Sequence, residues 1–181
     1  MGTFSVDNFR STLTDGLASQ SRWRVHLPTL QNHRKVGGGD VSAYPSQITN
    51  TLCTSAIIPG KEISTINRQV GLTNIRIAAG FEPGTASLSF YLDNRYILRN
   101  YFQDWIDCVV SPTPPFEVGL FTDYKDDVTI HQLDRNEQVR YSVKMVDCYP
   151  TNVGEIELNN QPQSAALELR VNLYYKYYVV L

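Results

Sequence analysis

Residues 167–179, LELRVNLYYKYYV, decide the fold class of this chain. Every odd-numbered position in this stretch is apolar or aromatic, whereas Glu168, Arg170, Asn172 and Lys176 stand between them. Successive side chains of a β-strand point to opposite faces of the sheet, so this alternation predicts one long strand with a buried face and a wet face. Strands of that kind are typical of antiparallel sheets.

The same period of two recurs upstream. It is sharpest at residues 21–27, where Trp23, Val25 and Leu27 alternate with Arg22, Arg24 and His26, and it is also clear at residues 139–145. The other predicted strands are 51–58, 63–70, 75–79 and 86–92, with a short strand at 116–121; residues 71–74 form the turn of a hairpin between two of them. Residues 122–137 are polar and charged and predict no element.

One strong helix follows the strand at 86–92. Its apolar stripe at helical spacing is Ile97, Leu98, Tyr101, Phe102, Trp105 and Ile106. Asp93 or Asn94 can cap it, and the prolines from Pro112 onward prevent it from continuing. A second, short amphipathic helix is predicted at 4–17. We therefore expect a mainly β (α+β) fold, an antiparallel β-sandwich or barrel-like domain with one packed α-helix, and a single domain over residues 1–181.

The stretch YPTNVGEIEL at 149–158 predicts a structural turn formed by Pro150, Thr151, Asn152 and Gly154. Proline removes a ladder donor, and Asn and Gly tolerate left-handed backbone, so the strand from residue 139 is expected to stop here. Residues 28–47, which include three consecutive glycines, lose all periodicity and predict a long mobile loop.

Catalytic or metal-binding patterns are not found. The three histidines have unrelated spacing, the three cysteines form no CxxC motif, and Asp123, Asp126 and Asp127 lack the remaining ligands of a calcium loop. The glycine run at 37–39 follows no strand and opens no helix, so it is not a phosphate loop. We expect no catalytic residues, no cofactor and no metal. No apolar run is long enough for a membrane anchor.

The balance of charge and the abundance of strands favour self-association. A net charge of −2 argues against a general nucleic-acid binder. Eleven tyrosines suit interfaces, and the several predicted strands leave sheet edges that a protein must cover or pair. Pairing them with a second copy extends the sheet across the subunit boundary and can close it into a ring.

Several stretches resemble one family in the same order. They are VDNFR at 6–10, SRWRVHL at 21–27, CTSAIIPGKEISTINRQVGLTNIRIAAG at 53–80, ASLSFYLDNRYILRNYFQDWID at 86–107 and YPTNVGEIELNNQPQSAALELRVNLYYKYY at 149–178. Together they are similar to the tail-tube proteins of contractile-tailed, T-even-type bacteriophages. The chain departs from that family at residues 28–47, where the loop is longer, and at 112–137.

The resemblance implies a structural subunit, not an enzyme, that forms stacked hexameric rings. These would make a hollow conduit for DNA inside a contractile sheath, with sheath and baseplate proteins as partners, passage of DNA without specific binding, assembly in the host cytoplasm and a final place in the virion tail. The hairpin at 61–79 is the candidate for the lumen or a ring contact; its residues of interest are Glu62, Arg68, Thr73, Asn74 and Arg76. The loop at 28–47 is the candidate for a ring-to-ring contact. The alternatives are a baseplate-proximal tube initiator and a carbohydrate- or protein-binding β-sandwich module.

Overall fold

The alternating stretches pair into antiparallel sheets in the computed structural model, which describes residues 20–30, 33–36, 46–82, 84–158 and 166–181 and, for 46–48, the backbone alone. The elements are β1 (Trp23–His26), α1 (Ser46–Leu52), β2 (Cys53–Ala56), β3 (Ile63–Val70), β4 (Thr73–Phe81), β5 (Thr85–Tyr91), α2 (Ile97–Val109), α3 (Phe121–Tyr124), β6 (Asp126–Leu133), β7 (Val139–Val153), β8 (Glu168–Tyr174) and β9 (Tyr177–Val180). The helix predicted at 4–17 lies outside the described residues.

The strand β7 joins the two halves of the body. Its first half pairs with β6 and β9, and its second half pairs with β8, giving the strand order β1-β6-β7-β8-β5-β2 with β9 beside β7. All of these pairings are antiparallel. The prediction of a mainly β, sandwich- or barrel-like fold with a packed helix is confirmed.

A local irregularity at Asp147 lets β7 serve both halves. Asp147 has a φ of 56°, and its backbone N–H donates to the Asp127 carboxylate at 3.2 Å. The Asp147 carboxylate in turn pairs with Lys125 at 2.6 Å, while Asp127 pairs with Lys144 at 2.8 Å. These part-buried charges are balanced, so the bend is held without leaving an unpaired carboxylate.

The core lies between the two halves of the body and under α2. Leu98, Tyr101, Phe102 and Trp105 of the predicted stripe are buried, whereas Ile97 and Ile106 keep partial exposure. Phe102 meets Phe90 of β5 with ring centroids 5.4 Å apart. The described strands contribute mainly branched side chains to the same core: Val25, Leu88, Val128, Ile130, Val143, Met145, Leu169, Val171 and Leu173.

Asp93 caps α2, as one of the two predicted alternatives. Its carboxylate accepts hydrogen bonds from the backbone N–H of Ile97 at 3.0 Å and of Arg95 at 3.3 Å. Between them, Tyr96 adopts a left-handed conformation with φ 54°. A carboxylate in this place satisfies a free N–H of the first turn, which stabilises the start of the helix.

The predicted turn at Pro150, Thr151, Asn152 and Gly154 is wrong. β7 runs through Pro150 and Asn152 to Val153, and these two residues pair with Leu173 and Asn172 of β8. The register shifts between Pro150 and Asn152, so Thr151 is a bulged residue whose hydroxyl donates to the Asn172 carbonyl at 3.1 Å. A proline is tolerated in a strand at a bulge or on an edge, which is why it does not end this one.

Gly154 is required by close packing rather than by a left-handed conformation. Its N–H donates to the Arg170 carbonyl at 2.6 Å, and a Cβ at this position would lie 2.8 Å from that same oxygen. Only Gly71, among the described glycines, has a positive φ. The glycine therefore lets the end of β7 approach β8 closely.

Gly154→Ala is expected to lower the free energy of unfolding by about 1–3 kcal/mol, because the new methyl group displaces backbone at the end of the β7–β8 ladder. Gly60→Ala is the matched control, since nothing lies within 4 Å of its Cβ position. Urea unfolding of the two variants checks the difference. Equal stabilities would contradict the close approach described here.

The long strand predicted at 167–179 is two strands. β8 ends at Tyr174 and β9 begins at Tyr177, and the two pair with different halves of β7. The alternate burial also ends here: Leu169, Val171, Leu173 and Tyr175 are buried, whereas Tyr177, Val179 and Val180 are all exposed. The sequence does not reveal the break at residues 175–176, because tyrosines stand at both odd and even positions around it.

Three further boundaries differ from prediction. Residues 46–52 form α1, so the strand predicted at 51–58 is only β2. Residues 126–133, for which no strand or helix was predicted, form β6; its buried side chains come after two aspartates, Asp126 and Asp127. The stretch 116–121 makes one isolated bridge, Val118 to Val110, and then enters α3. In each case the packing of neighbouring elements overrides a weak local pattern.

Much of the loop predicted at 28–47 lies outside the described residues, but its described part packs on the body. Leu30 is buried in the core. Tyr101 of α2 donates its hydroxyl to the Pro28 carbonyl at 2.8 Å, and Lys35 pairs with Asp104 of α2 at 2.6 Å. These residues are therefore fixed to the helix, against the expectation of a mobile loop.

Candidate assembly interface

The hairpin of β3 and β4 stands apart from the body as a separate two-stranded sheet. Its strands pack mainly on each other, and a two-residue turn, Gly71-Leu72, joins them with Gly71 at φ 61°. A hairpin of this kind is at best marginally stable alone in water and needs a further surface to pack on.

The register gives the hairpin two chemically different faces. Directly opposed residues of an antiparallel pair share a face. The pairs Ile66–Ile77, Arg68–Ile75 and Val70–Thr73 therefore make one face, and Thr65–Ala78, Asn67–Arg76 and Gln69–Asn74 make the other. We call the first the apolar face and the second the polar face. The two-residue turn Gly71-Leu72 sets this register, and the bulge between Ser64 and Thr65 shifts it only at the base of the hairpin.

The apolar face is largely uncovered in the isolated subunit. Ile66 is 57% exposed, Val70 54% and Ile75 42%, while Ile77 is partly exposed. Leu72 at the tip is fully exposed. A continuous set of exposed branched side chains on a protruding element marks an interaction surface.

The sequence-predicted hairpin residues do come together, but on different faces. Asn74 and Arg76 belong to the polar face, Arg68 and Thr73 to the apolar face, and Glu62 precedes β3 at the base of the hairpin. The sequence reasoning did not single out Ile66, Ile75 and Ile77. Their signal is the pairing register, which the two-residue turn sets.

Both segments that connect the hairpin to the body border one open cleft of about 750 Å³, lined by Gly60, Lys61, Glu62, Ile63, Glu82, Gly84 and Tyr175. Tyr175 is buried, and its hydroxyl occupies the place where a Cβ on Gly84 would lie. The Lys61 ammonium lies 5.7 Å from the centre of the Phe81 ring, across the two ends of the hairpin. These contacts hold the base of the hairpin against the body.

The described cysteines and the described metal-ligating side chains form no reactive or metal-binding cluster. Burial raises the pKa of Cys53 and of Cys148 to about 12 and that of Cys108 to about 11, so these thiols are poor nucleophiles at neutral pH. Among the described residues no cluster of His, Cys, Asp and Glu could hold a metal ion. Within the same residues, no helix is long and apolar enough to cross a bilayer.

A family model matches nearly the whole chain. Residues 18–181 match the model described as phage tail tube protein. That match confirms the family resemblance drawn from the sequence, and it agrees with a structural rather than an enzymatic protein. No curated protein sequence matches this chain.

Solved structures with the same fold come from contractile injection systems. One is the sheath/tube terminator of the extracellular contractile injection system PVC, with 12% identity, coverage of 93% of this chain and 99% of that chain, and a TM-score of 0.63. Another is the tube-terminating cap of the anti-feeding prophage, with 15% identity, 91% coverage of both chains and a TM-score of 0.62. A chain of the PVC sheath-tube complex has 12% identity, 99% coverage of both chains and a TM-score of 0.61. At these identities the likeness concerns the fold.

Proposed function

This chain belongs to the phage tail tube protein family, and on that premise we propose that it assembles into stacked hexameric rings. The rings form a hollow tube inside a contractile sheath, in the tail of a phage or a phage-like particle. The whole chain acts as one domain in this assembly. Its partners are further copies of itself, then sheath and baseplate proteins, and the tube is put together in the host cytoplasm.

The single observation that supports assembly is the uncovered apolar face of the hairpin. Burying its branched side chains on a neighbour removes them from water, which contributes about 25 cal/mol for each Å² of apolar surface. The hairpin itself gains the packing surface that a two-stranded sheet needs. A neighbouring copy supplies that surface at every position of a ring, since each subunit both gives and receives a hairpin.

In the assembled ring we propose that the polar face lines the lumen. Apart from Ala78, its side chains are hydroxyl and amide groups with a single charge, Arg76, which lies opposite Asn67. A wall of this composition offers few cations to phosphates, so it releases few counterions and does not hold passing DNA. The tube then conducts DNA without binding it specifically.

The test of this function is the state of the purified protein. Electron microscopy and analytical ultracentrifugation are expected to show six-fold rings and, at higher concentration, tubes of uniform bore. A main tube subunit extends into long tubes, whereas a tube initiator stops at one ring or a short stack. A monomer that persists at high concentration would refute the proposal and favour a binding module.

The charge of the lumen gives a separate prediction. Asn67→Lys combined with Gln69→Lys is expected to make the tubes retain DNA at low salt and release it as salt rises, because twelve positive charges are added per six-subunit ring, at two per subunit. Glu155→Gln with Glu157→Gln is the control, since it changes the charge by the same two units per subunit at exposed side chains outside the hairpin. Fluorescent DNA pelleted with the tubes measures retention. Equal retention by the two double variants would contradict a lumen lined by the polar face.

A further inference from the structure

A ring built from identical subunits needs two complementary surfaces on each copy. The hairpin is one of them, and a head-to-tail contact requires a different surface elsewhere on the body to receive it. Strand edges are the natural receivers, because an unpaired edge offers a row of backbone N–H and C=O groups to an incoming strand. The described body has three such edges, at β1, β2 and β9.

The edge of β1 is already occupied. The backbone N–H of Val25, which points away from β6, donates to the side-chain oxygen of Asn50 at 3.1 Å. Asn50 belongs to α1, which packs beside β1. A side chain that satisfies the central donor and a helix that covers the strand are two recognised ways of protecting an edge.

The edge of β2 is interrupted. The strand has four residues, its register with β5 shifts between Cys53 and Ser55, and the chain meets Pro59 soon after it ends. Bulges and prolines both oppose strand addition. Ile57 and Ile58 are exposed here, but this segment leads directly into the base of the same subunit's hairpin. It therefore lies on the side of the subunit that provides the hairpin, not on the side that receives one.

Among the described residues, nothing protects the edge of β9 in either way. The Leu181 N–H donates to the Ser142 carbonyl at 2.9 Å, and Val179 and Tyr177 are the next residues of the same parity, opposite Lys144 and Val146. Alternate residues of an antiparallel strand bond to the same partner. Tyr178 and Val180 therefore direct their backbone N–H and C=O groups away from β7.

Nothing among the described strands pairs with those groups, because β9 pairs with β7 alone. The stretch 177–181 reads YYVVL and contains no charge, proline or glycine. Val179 is 43% exposed and Val180 50%. A regular, apolar and unprotected edge is what an isolated protein avoids, so this one is built to be paired.

We propose that β9 is the receiving edge of the ring: the hairpin of one copy adds to β9 of the next by backbone pairing. This inference rests on the proposed function and names the partner surface of the hairpin. The hairpin suits the role because each of its strands pairs only with the other and so has one free edge. Its apolar face then continues over Val179 and Leu181, which lie on one face of β9 and are both exposed.

Amide hydrogen exchange on the unaltered protein tests the pairing. In dilute, dissociated subunits the amides of Tyr178 and Val180 are expected to exchange at least 100-fold faster than in assembled rings. The amide of Leu181, bonded to Ser142, is expected to be protected in both states. Mass spectrometry with residue-level fragmentation distinguishes them. Protection of the hairpin on assembly without protection at Tyr178 and Val180 would overturn β9 as the receiver.

A matched pair of variants at one position gives a second test. Val180→Pro removes only an outward donor and is expected to raise the concentration needed for assembly at least tenfold, whereas Val180→Ala keeps the donor and assembles within about threefold of the wild type. Circular dichroism confirms folding of each variant. Equal assembly of both variants would overturn the inference, while a wild type that stays monomeric would refute the proposed function itself.

Discussion

Ile66→Asp is expected to leave the subunit folded and to raise the concentration required for ring formation at least about 100-fold. Ile66 lies at the centre of the apolar face and is 57% exposed in the subunit, so a carboxylate there stays hydrated before assembly. In the ring the same carboxylate would be buried without a partner, which costs several kcal/mol at each interface. A loss of about 2.8 kcal/mol already corresponds to a factor of 100.

The neighbouring residue supplies the control. Asn67→Asp places the same charge one position away, but on the polar face opposite Arg76. We expect this variant to assemble within about threefold of the wild type, because in the proposed ring its side chain faces the lumen and remains in water. Sedimentation velocity over a series of concentrations measures both variants, and thermal unfolding checks that each subunit is intact.

The comparison of the two variants is decisive because they share a strand and a charge change. Loss of assembly in both would mean that charge in the hairpin, not burial of its apolar face, controls association. Assembly of Ile66→Asp at the wild-type concentration would remove the observation that supports the proposed function. Loss of folding in Ile66→Asp alone would contradict the exposure of Ile66 in the subunit.

The strands with one wet face and a regular period were predictable from the sequence. The alternation at 167–173 corresponds to β8, which buries alternate side chains in the core, and that at 139–145 lies within β7, where Val143 and Met145 are buried but Val139 and Tyr141 are exposed. The helix was predictable for the same reason, since its apolar residues recur at helical spacing under one sheet. Asp93 caps the helix because a carboxylate that precedes the first turn can accept its free backbone N–H groups.

The predictions that failed concern residues whose roles depend on partners far away in the chain. Pro150 was expected to end the strand, yet it lies at a bulge, where a strand tolerates a proline that has no backbone N–H to donate. Gly154 looked like a turn residue, yet its role is the close approach to Arg170. The hairpin turn was predicted at 71–74, but it is only Gly71-Leu72, and this shorter turn sets the register that defines the two faces. Register and close packing between distant segments are not visible in a local pattern.

The second large effect is expected at Trp105, which is fully buried in α2. Trp105→Ala is expected to lower the free energy of unfolding by about 3–5 kcal/mol, since it removes a large core side chain and leaves a cavity. The indole N–H also donates to the Tyr124 carbonyl at 2.7 Å, a bond that holds α3 against α2. Trp105→Phe keeps much of the packing but leaves this buried carbonyl without its donor, so a smaller loss of about 1–3 kcal/mol is expected.

These stabilities are best measured by urea unfolding in the Ile66→Asp background, because assembly of the wild type would add its own binding free energy to the subunit's stability. Trp23→Ala is the control: Trp23 is only partly buried at the edge strand β1, so its loss should stay below that of Trp105→Ala. If Trp105→Ala and Trp105→Phe were equally unstable, the hydrogen bond to Tyr124 would account for the whole effect. The ring contacts of Trp105 with Tyr101, at 6.0 Å between centroids, and with His33, at 6.5 Å, argue against that result, because the alanine variant loses both and phenylalanine retains part of each.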